Sequence, residues 1–178
     1  MRKLPPAARA YIICVYTAGV LSSLWVVAAL KYQGLNGRPA WELIAFAVLA
    51  ILCGGKKIPI FSKTGDEDAG SMSLGFVLTF TSMLRFGPAP AMLIGGVACL
   101  SSGLYPRRQP LYQLAFNLCL GVFECGLAGV TFYVLNGKSL TMQMPTSFVA
   151  IVAATLVNYA INTGGVAVVI ALCSGENP

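Results

Sequence analysis

From Ala10 to Leu30 the chain carries no charged side chain, and runs of the same character recur almost to its end. This pattern constrains the fold more than any motif does. A helix needs about 20 mostly apolar residues to cross roughly 30 Å of hydrocarbon. In lipid such a segment must satisfy its backbone hydrogen bonds internally, which a helix does. Composition points the same way: 57% of the residues are hydrophobic and 10% charged, where a soluble domain carries about 25% charged. The apolar runs fall at about 10–30, 41–54, 73–86, 88–105, 111–135 and 147–173. The expectation is an all-α, polytopic membrane protein. It is a single integral domain over residues 1–178, a bundle of about six transmembrane helices.

The links between runs refine this. Met1-Arg2-Lys3-Leu4-Pro5-Pro6 imitates the basic front of a secretory signal. The run behind it is too long for a signal core and lacks a small-x-small cleavage site, so it reads as an uncleaved first helix. Trp41 to Cys53 is short, and crosses only with its flanks or in a thinned bilayer. Residues 55–72 form a cytoplasmic or interfacial loop with Lys56, Lys57, Lys63 and the acidic triplet Asp66, Glu67, Asp68. The triplet lacks the spacing of a calcium loop and reads as solvated. Within the same stretch Ile58-Pro59-Ile60-Phe61 is an interfacial or re-entrant candidate, and Ser71–Leu74 is expected to be extended. Gly87-Pro88-Ala89-Pro90 predicts a tight turn with proline in the first turn of the next helix.

Orientation follows from Lys and Arg. With the N-terminus inside, Arg2, Lys3, Arg9, Lys56, Lys57, Lys63, Arg107 and Arg108 face the cytoplasm, eight of the 12 basic residues. Lys31, Arg38, Arg85 and Lys138 fall opposite. The positive-inside bias therefore places both termini in the cytoplasm, in a multi-pass protein of the cell's inner (plasma) membrane. That parity depends on the short Trp41–Cys53 run crossing.

Several function classes are disfavoured. The basic residues are scattered through short loops without a continuous face or interleaved aromatics, so no nucleic-acid partner is expected. The six cysteines (Cys14, Cys53, Cys99, Cys119, Cys125, Cys173) show no CxxC spacing, and the chain has no histidine. They read as small helix-packing residues, and no metal site or cofactor is expected. Phosphate-binding glycine loops, nucleophile elbows and metalloprotease helices are absent, so the chain is not expected to be an enzyme. The partners it implies are the bilayer and a small-molecule ligand. The small residues Ala91, Gly95, Gly96, Cys99 and Ser101-Ser102-Gly103 permit close helix packing, with homodimerisation as the second reading.

Glu124 is the most informative residue, a carboxylate deep in the fifth run. Ionisable groups in membrane helices usually face the bundle interior or a cavity and have partners. At 100° per residue Gln113, Asn117 and Glu124 share a face, with Gly121 nearby. Thr155, Asn158 and Asn162 form a comparable stripe on the sixth run, continued by Gly165. Such Asn, Gln and Thr also serve as interhelical hydrogen-bond glue. Arg85 lies about 12 residues up the third run and Glu124 about 13 up the fifth, roughly 18 and 20 Å at helical rise. Equal depth would allow an Arg85–Glu124 ion pair. The alternatives are a ligand pocket in the outer half that uses one or both charges, and an Arg85 that reaches the outer interface.

The opening Lys3-Leu4-Pro5-Pro6-Ala7-Ala8-Arg9-Ala10-Tyr11 resembles the start of MASE-type membrane-embedded sensor modules of bacterial signalling proteins. The similarity continues through Ser71–Phe76, Gly87-Pro88, Phe116-Asn117 and Asn158-Tyr159-x-x-Asn162, across nearly the whole chain. Such modules precede HD-type phosphohydrolase or diguanylate cyclase domains. The resemblance implies a sensory, ligand-binding role that regulates a cytoplasmic output domain, expected to follow the helix exit at Ala171–Pro178. In size, span number and cytoplasmic ends the chain is also similar to substrate-binding components of energy-coupling-factor vitamin transporters, whose partners are other transporter subunits. The Ala-x-x-x-Ala pattern of their first helix is met only in part, by Ala18 and Ser22. A purely structural or assembly role is the third reading.

Overall fold

The computed structural model describes residues 4–33, 38–59, 71–105 and 108–174. Among these the elements are α1 (Pro6–Gln33), α2 (Ala40–Cys53), β1 (Lys57–Pro59), β2 (Ser71–Ser73), α3 (Leu74–Phe86), α4 (Pro88–Leu104), α5 (Leu111–Leu135) and α6 (Thr146–Ser174). Each apolar run has become a helix. The extended stretch expected before α3 is present over Ser71–Ser73 and pairs antiparallel with Lys57–Pro59. Expectations for Arg2, Lys3, Ile60, Phe61, Lys63, Asp66, Glu67, Asp68 and Arg107 lie outside the described residues.

By length and composition α1, α5 and α6 are able to cross a membrane. The chain is accordingly a membrane protein. α2, α3 and α4 have 14, 13 and 17 residues. At helical rise these are roughly 21, 20 and 26 Å long, shorter than the hydrocarbon core of a typical bilayer. They are nonetheless apolar outwards: Ile44, Val48, Leu49, Ile51 and Leu52 of α2 are all exposed. So are Val20, Leu21, Leu24 and Val27 of α1. An apolar surface of this kind belongs in lipid rather than water.

Successive helices run antiparallel, and the start of α1 and the end of α6 share one end of the bundle, where Tyr11 Oη donates to Gly165 O at 3.1 Å. We call this the termini end. At the other end the α3–α4 turn uses Gly87 at φ 96°, a conformation that favours glycine, with Pro88 opening α4.

α4 and α5 are held together by small residues, as the spacing predicts. A Cβ at Gly121 would lie 2.6 Å from Cys99 Sγ, and one at Gly95 2.7 Å from Cys125 Sγ. One at Gly129 would lie 2.9 Å from Pro88 Cα. Backbones this close allow extensive dispersion contact, which replaces the hydrophobic effect as the driving force in lipid. α1 crosses α5 equally closely at Gly19 and Cys119.

Towards the far end, Met83, Ala91, Ala128, Phe132, Ala150 and Ala154 form one cluster, with Phe80, Leu84 and Ile151 packed on it. This cluster draws α3, α4, α5 and α6 together. The same four helices do not fill the space between them in the termini half, and the candidate site is there.

Candidate functional site

Glu124 occupies the middle of α5, 7% exposed. Its Oε1 accepts a hydrogen bond from Asn162 Nδ2 of α6 at 3.0 Å. Its Oε2 is buried with no hydrogen-bond partner. Beside it a cavity of about 340 Å³ is lined by four helices. α3 contributes Thr79, α4 contributes Cys99 and Ser102, α5 contributes Asn117 and Glu124, and α6 contributes Asn158 and Asn162. Apolar lining comes from Phe76, Leu120 and Val166.

The two polar stripes therefore meet, as their periodicity predicts, but only in part. Asn117, Glu124, Asn158 and Asn162 line one space. Asn158 is 5% exposed. Asn117 Nδ2 donates to Gln109 Oε1 at 2.9 Å, which ties α5 to the segment ahead of it. Gln113 is exposed, donates from Nε2 to Tyr112 Oη at 3.3 Å and does not line this cavity. It shares the face of Asn117 but lies a turn beyond, where α4 is ending: a Cβ at Gly103 would already meet Leu114. Thr155 does not line the cavity either. Its Oγ1 donates to Ile151 O in the preceding turn, at 2.9 Å.

The Arg85–Glu124 pair is not formed. Arg85 Nε donates to Glu42 Oε2 at 2.9 Å and Nη2 to Glu42 Oε1 at 3.0 Å, a two-pronged ion pair between α3 and α2. Equal counts from the helix starts mislead because α3 starts deeper than α5. Thr79, early in α3, is level with Cys125, since a Cβ at Gly95 would lie 3.3 Å from Thr79 Cγ2 and 2.7 Å from Cys125 Sγ. Arg85 is six residues further along α3, about 9 Å beyond the level of Glu124. It sits in the last turn of α3 and Glu42 in the first turn of α2, so each charge also suits its helix end.

The pocket lies towards the termini end of the bundle. Its lining comes from early α3, late α4, the first half of α5 and the second half of α6, which is the termini half. In the far half the cluster around Phe132 fills the space between these four helices, and a separate cavity of about 370 Å³ lies at the far end beside Trp25, Phe86, Tyr133 and Leu140.

Sequence reasoning passed over Thr79, Cys99, Ser102, Gln109 and Glu42. The first three are small residues that a sequence cannot distinguish from packing. Glu42 had a legible signal: an acid in the first turn of one helix and a base in the last turn of the next antiparallel helix meet at one end of a bundle. The six cysteines are unpaired. Among the described residues no group of three or more His, Cys, Asp or Glu is arranged to hold a metal ion.

Chemically, the site offers a carboxylate with one free oxygen, several amides and an apolar wall. It has hydrogen-bond acceptors and shape, and the side chains of Cys99, Ser102 and Cys125 share its lining with the acid. The chain matches no protein-family model, no curated protein and no solved structure.

Proposed function

We propose that this chain is a multi-pass, ligand-binding module of the plasma (inner) membrane, with both ends in the cytoplasm, that senses a small molecule in the Glu124 cavity and regulates a cytoplasmic output domain through α6. The observation that carries the reading is the half-satisfied carboxylate of Glu124. An ionised carboxylate at the centre of a membrane helix costs on the order of 2.5–3.5 kcal/mol, and such residues mark ligand or ion sites. A residue kept only as helix glue would have both oxygens engaged. The cavity beside the free oxygen provides room for a ligand to complete the set.

Coupling to α6 has a direct route. Asn162 of α6 is the residue that holds Glu124, and Asn158 lies one face-turn away on the same helix. A ligand that competes for Glu124 changes the restraint on α6, whose last turn lies at the termini end. The charge bias assigns that end to the cytoplasm. The competing reading, a substrate-binding component of a vitamin transporter, calls for a cavity towards the outer side. The cavity lies in the termini half, which favours the sensor.

The test is a thermal-shift screen of the purified protein in nanodiscs against metabolites, vitamins and lipophilic small molecules. At least one compound is expected to raise the Tm of the wild type and to lose that effect in Asn158→Leu. The same compound should change the rate at which a maleimide labels Cys173, exposed in the last turn of α6. If no compound of any class stabilises the protein, the binding reading fails. If one stabilises without altering Cys173 labelling, the coupling through α6 fails.

A further inference from the structure

Charge accounting within the bundle identifies the class of ligand. Arg85 is the basic residue embedded deepest in an apolar run, and it is fully engaged by Glu42 through two hydrogen bonds. Among the described residues no Lys or Arg lines the cavity of Glu124, and none pairs with it. The hydroxyls around it are turned to accepting, since Thr79 Oγ1 donates to Gly75 O and Ser102 Oγ to Cys99 O. Asn162 and Asn117 each use an amide N–H on a neighbour, Glu124 and Gln109 respectively. Their amide oxygens are acceptors on residues of the same lining as the unpartnered Glu124 Oε2.

Resting on the binding reading above, we infer that the cavity is the site of a small organic cation, an ammonium or amidinium group attached to an apolar skeleton, whose N–H groups bind Glu124 Oε2 and the neighbouring amide oxygens. An anionic ligand would face an uncompensated carboxylate in a medium of low dielectric, where like charges repel strongly. A neutral apolar ligand would leave Oε2 unsatisfied. A metal ion fits poorly for two reasons. A divalent cation demands several oxygen ligands in a tight shell and usually more than one carboxylate. The cavity, at about 340 Å³ and walled partly by Phe76, Leu120 and Val166, is far larger than such an ion. Those apolar residues match a hydrocarbon skeleton, and the division into a few polar contacts and a hydrophobic wall is the usual anatomy of a small-molecule site.

The test uses three probes with one skeleton and different charge: 3-phenylpropylammonium, 3-phenylpropan-1-ol and 3-phenylpropanoate. Each is added at millimolar concentration to the full chain in nanodiscs of zwitterionic lipid, with Tm as the readout. The ammonium is expected to raise Tm in a saturable manner, while the alcohol and carboxylate give smaller shifts or none. Glu124→Gln keeps the shape and the acceptor for Asn162, and should weaken the ammonium about tenfold to a hundredfold, the loss of one charge-assisted contact. Asn158→Leu supplies a second variant if Glu124→Gln does not fold, and should weaken the ammonium as well. An equal or larger shift from the alcohol or the carboxylate overturns the cation assignment and leaves the binding cavity standing. An ammonium shift unchanged in a folded Glu124→Gln also overturns it. So does a stabilisation specific to sodium chloride over N-methylglucamine chloride that Glu124→Gln abolishes, since the site would then hold an inorganic ion. Failure of all three probes overturns the organic-cation assignment, and the broader metabolite screen decides separately whether the cavity binds anything.

Discussion

Glycine to alanine at two positions should move stability in opposite directions. At Gly19 a Cβ would sit 2.6 Å from Cys119 Cα and 2.9 Å from Cys119 O, where ordinary contact begins at 3.4 Å. The obstacle is backbone, so no side-chain rotation relieves it, and α1 must retreat from α5 by about 0.8 Å. A gap of 0.5–1 Å forfeits roughly a quarter to a half of each dispersion contact. The contacts at risk are those of Ile12 and Val15 with Phe116 and Leu120, and those of Val26 and Ala29 with Val122 and Cys125. Overpacking of this kind costs about 1–3 kcal/mol. At Gly164 a Cβ would meet nothing within 4 Å. There Gly164→Ala only removes backbone freedom from a helix interior, a gain of about 0.5–1 kcal/mol. The two variants should thus differ by about 1.5–4 kcal/mol. In a chain of this size each kcal/mol moves Tm by about 2–4 °C. Thermal unfolding in one detergent, followed by intrinsic fluorescence, reads both. A Gly19→Ala protein as stable as wild type would refute the close α1–α5 crossing. Equal destabilisation by Gly164→Ala would refute the open space beside that position.

Phe132→Ala, at a residue with 0% exposure in the far-end cluster, should destabilise by about 3–5 kcal/mol in the same unfolding assay, with a smaller loss for Phe132→Leu. Asn136→Ala should cost about 1–3 kcal/mol. Asn136 Nδ2 serves the carbonyls of Ser139 and Thr141, and its Oδ1 accepts from the buried Ser147 hydroxyl, so its loss leaves Ser147 without that acceptor. A neutral result would show that the α5–α6 loop does not depend on this network. Glu42→Arg and Arg85→Glu should each lower Tm, and the double swap should recover part of the loss. A Glu124→Arg partner that rescues Arg85→Glu instead would show that the pair had been assigned to the wrong acid.

Glu124 and Arg85 show where the sequence stops being sufficient. Periodicity alone placed Asn117 and Glu124 on one face of α5 and Asn158 and Asn162 on one face of α6, and the hydrogen bond from Asn162 to Glu124 joins those faces. Angle around a helix is a local property, set by 100° per residue, and it survives into the fold unchanged. Depth is not local. It depends on where each helix starts relative to its neighbours, and the short α3 begins well inside the level at which α5 begins. That offset brings Arg85 to Glu42, away from the level of Glu124.

The sequence by itself therefore determined the medium, the helices and their polar faces. An apolar run long enough for lipid, a proline turn or a buried acid each declares itself from neighbouring residues. Only the tertiary structure decided which of two acids took the single embedded arginine. The reason is the vertical register of the helices, which close packing at positions such as Gly95 on Cys125 and Gly121 on Cys99 helps to fix. With Arg85 bound to Glu42, Glu124 keeps a free oxygen beside a cavity, and the proposed chemistry of the protein follows from that one displacement.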